Sequence, residues 1–215
     1  MRILIGCEES QTVTKAFRAL GHEAFSCDIQ DCSGGHPEWH LKTDIFEVIK
    51  LGWDFIGLHP VCTKMTLSGN RHYAPGKDKH FERLQAVEWT IALWKHACSY
   101  SDKVYMENPM GAMNVDKRLP KPQIIQPYYF GDEFQKTTCL WLKGLPNLYH
   151  NKEPNLFDQS VTHVSKGEMW TAKSGKVMPL WFAVSASTRN EANRALRSKT
   201  FPGIANAMAT QWGSL

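Results

Sequence analysis

Cys62 closes one apolar run, Phe55-Ile56-Gly57-Leu58-His59-Pro60-Val61-Cys62, and Glu107-Asn108 closes another that begins at Lys103. Runs of this kind predict strands covered on both faces. The thiol and the carboxyl therefore fall at strand carboxyl ends, the edge of an open α/β sheet where ligands bind. A thiolate is a nucleophile, and it needs an electrophile that another group has activated. A carboxyl group at the same crevice can supply that activation by hydrogen-bonding a heteroaromatic ring. The pair predicts covalent catalysis on a ring base. Taken singly, Cys62 reads as an inert core cysteine and Glu107 as a surface acid. Pro60 ahead of the thiol and the long polar segment from Thr63 to Lys79 behind it favour chemistry. His59 reads as a residue that shapes this turn.

The elements that must hold these groups follow from periodicity. Arg2 to Cys7 predicts a strand, Val13, Ala16, Phe17 and Leu20 a helix ending at Gly21, and Glu23 to Asp28 a second strand. A loop from Ile29 to Lys42 leads to a short helix opened by Thr43-Asp44-Ile45-Phe46 and ending near Gly52. Trp53 to Pro60 is the next strand. The helix from His80 to Ser99 places Phe81, Leu84, Val87, Ile91, Trp94 and Cys98 at spacings of three or four. Strands follow over Lys103 to Asn108 and Thr138 to Lys143. Strands alternating with helices predict a mostly parallel α/β sheet with helices on both faces. From Leu145 to Ser187 the pattern weakens, fitting either a small antiparallel appendage or the last strands of the sheet. Helices are expected over Arg189 to Leu196 and Ile204 to Trp212. This divides the chain into a core over 1–144, an appendage over 145–187 and closing helices over 188–215.

The turn Gly6-Cys7-Glu8-Glu9-Ser10 joins the first strand to its helix, and its glycine lets a ligand approach the backbone. Asp28, ending the second strand, is placed to accept from ribose hydroxyls, and Asp44 from an adenine amino group. The bland reading makes Glu8, Glu9 and Asp28 ordinary helix-start and loop acids. Cys27, Cys32, His36 and His40 have zinc-knuckle spacing, but a site there competes with Asp28 for the same loop. No metal is expected. Lys64, Arg71, His72, Lys77 and Lys79, with Tyr73 among them, can meet phosphates and stack on a base, or simply be solvated. Lys117, Arg118 and Lys121, and Lys166, Lys173 and Lys176, carry the same two readings.

With 215 residues, 42% hydrophobic and 21% charged, the composition is that of a globular domain, and a net charge of +4 permits a polyanionic partner without requiring one. No stretch reaches the roughly 18 apolar residues that span a bilayer. The amino-terminal apolar run is too short for a secretory signal, so no membrane is expected as partner and the location is expected to be cytoplasmic. The six cysteines are expected to be reduced thiols.

Pro60-Val61-Cys62 resembles the Pro-Cys nucleophile motif of the cytosine carbon-5 DNA methyltransferases, and Glu107-Asn108 resembles their Glu-Asn motif. The order of the glycine turn, Asp28, Asp44, Cys62 and Glu107 is also similar to theirs. Ala205-Asn206-Ala207-Met208 resembles their Gly-Asn-x-Val element. The likeness runs as short motifs from residue 2 to 212 and is nearest to small methylase-like proteins of phages, whose place of action is the host cytoplasm. It implies a Rossmann-like class I methyltransferase fold. It also implies S-adenosyl-L-methionine held by Gly6, Cys7, Glu8, Glu9, Asp28, Ile29, Asp44, Ile45, Pro60 and Asn206. Cys62 would attack carbon-6 of a flipped cytosine in DNA while Glu107 holds N-3 and the exocyclic amine. Three departures stand out. Val61 replaces a proline. Gln135-Lys136-Thr137-Thr138 lacks both arginines of Gln-x-Arg-x-Arg, leaving Lys136 as the cation near the cytosine oxygen. Leu145 to Ser187 is also short for a target-recognition domain. A free nucleotide or RNA as acceptor, and a non-catalytic binding protein, are the alternatives.

Overall fold

Alternate residues of the central strands face opposite helical layers, and this period of two builds the core. The structure is a computed structural model describing residues 1–154, 158–187 and 198–215. Its main sheet contains β1 (Arg2–Gly6), β2 (Glu23–Asp28), β3 (His40–Lys42), β4 (Phe55–Leu58), β5 (Val104–Pro109), β6 (Gln123–Ile125) and β7 (Thr138–Lys143). Ile3, Ile5, Phe55, Tyr105 and Leu140 face α1 (Thr12–Ala19) and α6 (Pro202–Trp212), meeting Val13, Phe17, Met208 and Trp212. Leu4, Ile56, Leu58, Met106 and Trp141 face α2 (Ile45–Val48) and α4 (His80–Tyr100), meeting Ile45, Val48, Ile91 and Trp94. Each such side chain, fully buried, contributes about 1.5–3 kcal/mol.

The strand order is β3-β2-β1-β4-β5-β7-β6. Strands β1 to β5 are parallel, and β7 runs antiparallel to both β5 and β6. The chain leaves β1 toward β3 and returns to its other side at β4. That reversal opens a crevice above the carboxyl ends of β1 and β4, the place where doubly wound sheets bind ligands. This is the Rossmann-like α/β arrangement predicted.

Differences from the expected elements have local causes. β3 lies inside the predicted loop Ile29 to Lys42, and β6 was not foreseen; three residues are too few for a periodic signal. A short helix, α3 (Asn70–Tyr73), lies within Thr63 to Lys79. Phe81 and Leu84 are 67% and 48% exposed rather than packed. The predicted stripe repeats every 3.4 residues, so on a 3.6-residue helix Phe81 lies about 100° around from Cys98. The inward line instead runs through Arg83, which is buried. Within Leu145 to Ser187, β8 (Met169–Thr171) and β9 (Val177–Pro179) form an antiparallel sheet of their own, followed by α5 (Leu180–Ser187). The helix expected over Arg189 to Leu196 lies outside the described residues. Among the described residues no helix is long and apolar enough to cross a membrane.

Two glycines are required by packing. A β-carbon at Gly6 would lie 2.5 Å from Ile45 Cδ1, and one at Gly57 2.4 Å from Tyr105 Cε1. Gly57→Ala is therefore expected to cost about 1–3 kcal/mol through overpacking, lowering the melting temperature by roughly 2–4 °C per kcal/mol. A thermal melt within a degree of the parent's would mean that the Tyr105 ring yields freely.

Candidate active site

The register of β4 on β5 decides what meets at the sheet edge. Gly57 pairs with Tyr105 and Leu58 with Met106. One step further, His59 and Glu107 stand side by side on the face that Gly57 and Tyr105 share. His59 Nδ1 is 3.5 Å from Glu107 Oε2, and the two side chains are only 9% and 12% exposed. On its other nitrogen, His59 Nε2 is 2.7 Å from the Tyr105 hydroxyl. The missing side chain of Gly57 leaves room for that tyrosine ring. Burial pushes the Glu107 carboxyl up, but the His59 hydrogen bond and the charges of Lys136 and His59 outweigh it, leaving it below the ordinary value.

Cys62 lies just past this pair on a turn fixed from two sides. Asn108 Nδ2 donates to Pro60 O at 2.9 Å, tying the tip of β5 to the turn. The Cys62 carbonyl accepts from Met65 N at 2.8 Å and Thr66 N at 3.1 Å. Arg83 then grips the following segment, donating to Lys64 O at 2.7 Å, Asn70 Oδ1 at 2.7 Å and Thr66 O at 3.2 Å. These charge-assisted bonds hold a turn that has Val61, 70% exposed, where a proline was expected. Burial raises the Cys62 thiol above its ordinary range, Glu107 raises it further, and Lys136 opposes them. Its resting form at neutral pH is the thiol.

Lys136 reaches the same rim from the opposite direction. It precedes β7, whose Thr138 pairs with Pro109 at the carboxyl end of β5. Its ammonium donates to Lys199 O at 3.2 Å and lies 5.7 Å from the centre of the Phe201 ring. It acts on the charges of both Cys62 and Glu107. The structure thus brings Cys62, Glu107 and Lys136 to one rim.

The neighbouring crevice is bordered by the β1–α1 turn, where Cys7 (φ 58°) and Gln11 (φ 56°) hold left-handed conformations that side-chain-bearing residues rarely adopt. Such conformations concentrate at ligand sites. The Cys7 thiol is driven far up by burial and then by Asp28, Cys27 and Asp44, so both acids stand near this turn. Asp28 Oδ1 accepts from Gln30 N at 2.9 Å, and Asp44 caps α2 by accepting from Phe46 N at 2.9 Å. Glu9 accepts from the Ser33 hydroxyl, binding the turn to the next loop. Ile29 is 77% exposed at the tip of β2. Asp28 and Asp44 thus present carboxylate oxygens, able to accept hydrogen bonds, near an exposed apolar side chain and a backbone turn.

Two expected cofactor residues have other duties. The buried Glu8 carboxylate caps α1, accepting from Val13 N at 2.6 Å, Thr14 N at 3.2 Å and Thr14 Oγ1 at 2.7 Å, so its oxygens face the helix and not the crevice. Ile45 is buried over Gly6. Pro60 is buried and serves through its carbonyl, while Asn206 is exposed beside Thr12 and Lys15 in a hollow of about 370 Å³ between α1 and α6. The zinc-knuckle residues are engaged separately. Cys27 Sγ faces Thr43 O, His40 lies against Ser26 and Gln30, and His36 stacks on Trp39. Of the basic groups, Lys64 pairs with Glu82 at 3.0 Å and Arg118 with Glu88 and Asp116, both at 2.7 Å, whereas Arg71, His72, Lys77 and Lys79 are exposed. Sequence reasoning missed Gly57, Arg83 and Tyr105. Only strand register, and the inward line of α4, reveals them.

No protein-family model matches the chain, and no curated protein matches it. Among solved structures it is similar to a candidate DNA modification methyltransferase encoded within an E. coli prophage. The TM-score is 0.47 at 13% sequence identity, with 76% of this chain and 52% of that one covered, so the chain spans about half of that protein's length.

Proposed function

We propose that the chain is an S-adenosyl-L-methionine-dependent DNA methyltransferase acting at carbon-5 of cytosine through a covalent adduct on Cys62. The observation that carries this reading is the convergence of a thiol, a carboxylate and an ammonium group on one rim, with Asp28 and Asp44 near the adjoining β1–α1 turn. The exposed cations Arg71, Lys77 and Lys79 follow the nucleophile and suit a phosphate backbone.

In this mechanism the Cys62 thiol gives up its proton to solvent as its sulfur forms a bond to carbon-6 of a cytosine turned out of the helix. The displaced π electrons move toward N-3, where Glu107 holds the ring nitrogen and the exocyclic amine, and Lys136 faces the ring oxygen. Carbon-5 becomes the nucleophilic atom. S-adenosyl-L-methionine, when bound with its ribose on Asp28 and its adenine amino group on Asp44, supplies the methyl group. Loss of the carbon-5 proton to solvent then re-forms the carbon-5–carbon-6 double bond, and the Cys62 sulfur leaves with its electron pair.

A second acceptor class has one observation in its favour. Within the described part of 145–187, the regular structure is a three-residue-per-strand sheet and α5, a small surface for reading a DNA sequence. Labelled methyl transfer compared on duplex DNA, RNA and deoxycytidine monophosphate is expected to favour duplex DNA by at least tenfold and to fall steeply with salt. Preference for the mononucleotide would replace the DNA reading. No transfer to any acceptor, with no affinity for S-adenosyl-L-methionine by calorimetry, would leave a non-catalytic binding protein.

A further inference from the structure

His59 is a nearly buried imidazole that the chemistry above does not use, and its surroundings are unusually specific. From β5, Glu107 Oε2 lies 3.5 Å from Nδ1, at the long end of hydrogen-bond reach, and the Tyr105 hydroxyl lies 2.7 Å from Nε2. From the segment before α6, Thr200 Oγ1 also approaches Nδ1, at 3.4 Å. From the β1–α1 turn, the buried Glu8 carboxylate is close enough for its charge to be felt by both His59 and Tyr105. Beyond this ring, the charge of Lys136 acts on Glu107, and Glu107 in turn acts on Cys62. One carboxylate, one phenol and one hydroxyl therefore touch the ring, and Glu8, held on α1, acts on it only through space.

Resting on the methyltransferase reading, we propose that His59, oriented by Tyr105, is a positioning residue that keeps a proton at hand for Glu107 to deliver to the base. Tyr105 is fully buried, and burial together with Glu8 and Glu107 raises its hydroxyl well above the ordinary value, so the phenol stays protonated and serves only to orient the ring. The proton that moves is the one on His59 Nδ1. As the Cys62 sulfur bonds to carbon-6, the carbon-5–carbon-6 π pair shifts to carbon-4–carbon-5 and the carbon-4–N-3 π pair to N-3. Nδ1 of His59 gives its proton to the Glu107 carboxylate, which delivers it to N-3. Glu107 begins and ends as carboxylate, with the proton carried from Nδ1 to N-3. Gly57 is part of the device, because any β-carbon there would displace the tyrosine that orients His59.

The test follows the Glu107 carboxyl by NMR in full-length protein labelled with ¹³C-glutamate, its signal assigned by loss in Glu107→Gln. His59→Gln is expected to raise the Glu107 titration midpoint by one pH unit or more, and Tyr105→Phe by a smaller, measurable amount. A folded His59→Gln protein with an unmoved midpoint overturns the proposal. Should that variant fail to fold, Tyr105→Phe decides by the same reading. In methyl transfer, the alkaline limb of the rate profile is expected to move at least one unit toward acid in His59→Gln, whereas a profile merely scaled down would make His59 structural. A parent protein that transfers no methyl group but shows the shifted midpoint defeats the methyltransferase reading and leaves the pairing intact. An active parent with an unmoved midpoint does the reverse.

Discussion

Cys62→Ser is expected to reduce methyl transfer by about 10³-fold or more, because a serine hydroxyl at this site has no thiolate-like form to add to carbon-6. The turn itself survives the change, since its anchors are the Pro60 carbonyl on Asn108 and the Arg83 grip on Lys64 and Thr66. A duplex carrying 5-fluorocytosine sharpens the measurement: carbon-5 then has no proton to lose, so the parent protein should remain covalently attached and the Cys62→Ser protein should not. Adduct formation by the serine variant, or transfer within tenfold of the parent's, would remove Cys62 from the mechanism.

Glu107→Gln is expected to move two observables in opposite directions. Methyl transfer should fall by roughly 10²–10⁴-fold, the usual contribution of a positioned acid or base. Alkylation of Cys62 in the free protein should become faster. The thiol is raised first by burial and next by the Glu107 charge, so removing that charge lowers its midpoint and increases the thiolate present at pH 7 to 8. The sign is fixed: thiolate grows as pH rises, and the variant's curve lies at lower pH than the parent's. Burial remains, so the gain is limited to about tenfold. Mass spectrometry of the Cys62 peptide with iodoacetamide reads this separately from the other cysteines. Slower alkylation in the variant would mean that the two groups do not share a pocket.

The parts of the fold that were legible in the sequence are those long enough to carry a period. The strands that carry Asp28 and Glu107 and the one that leads to Cys62 lie between turns that mark them, and their placement at one sheet edge follows from the alternation of strands with helices. What escaped was register. Nothing in the sequence says that His59 sits next to Glu107, because that depends on Gly57 pairing with Tyr105 and not with a neighbour. Glu8 looked like a crevice acid because capping by a residue four positions ahead of the helix has no distinctive signature. Phe81 and Leu84 looked inward because spacings of three or four pass for one face although a 3.4-residue repeat drifts around a 3.6-residue helix. Arg83, a charged residue on a helix, gave no sign of being buried.

The reversed strand has a consequence for how this rim can change. Parallel strands hand over whatever follows them, but β7, running the other way, hands over what precedes it, which is how Lys136 comes to the same edge as Cys62 and Glu107. Its station is guarded by Leu140 and Trp141, which point into opposite hydrophobic layers. Sliding β7 by a single residue would exchange those faces as well as shift the lysine. The cation is locked in place by the core, so divergence can swap its side chain far more readily than relocate it.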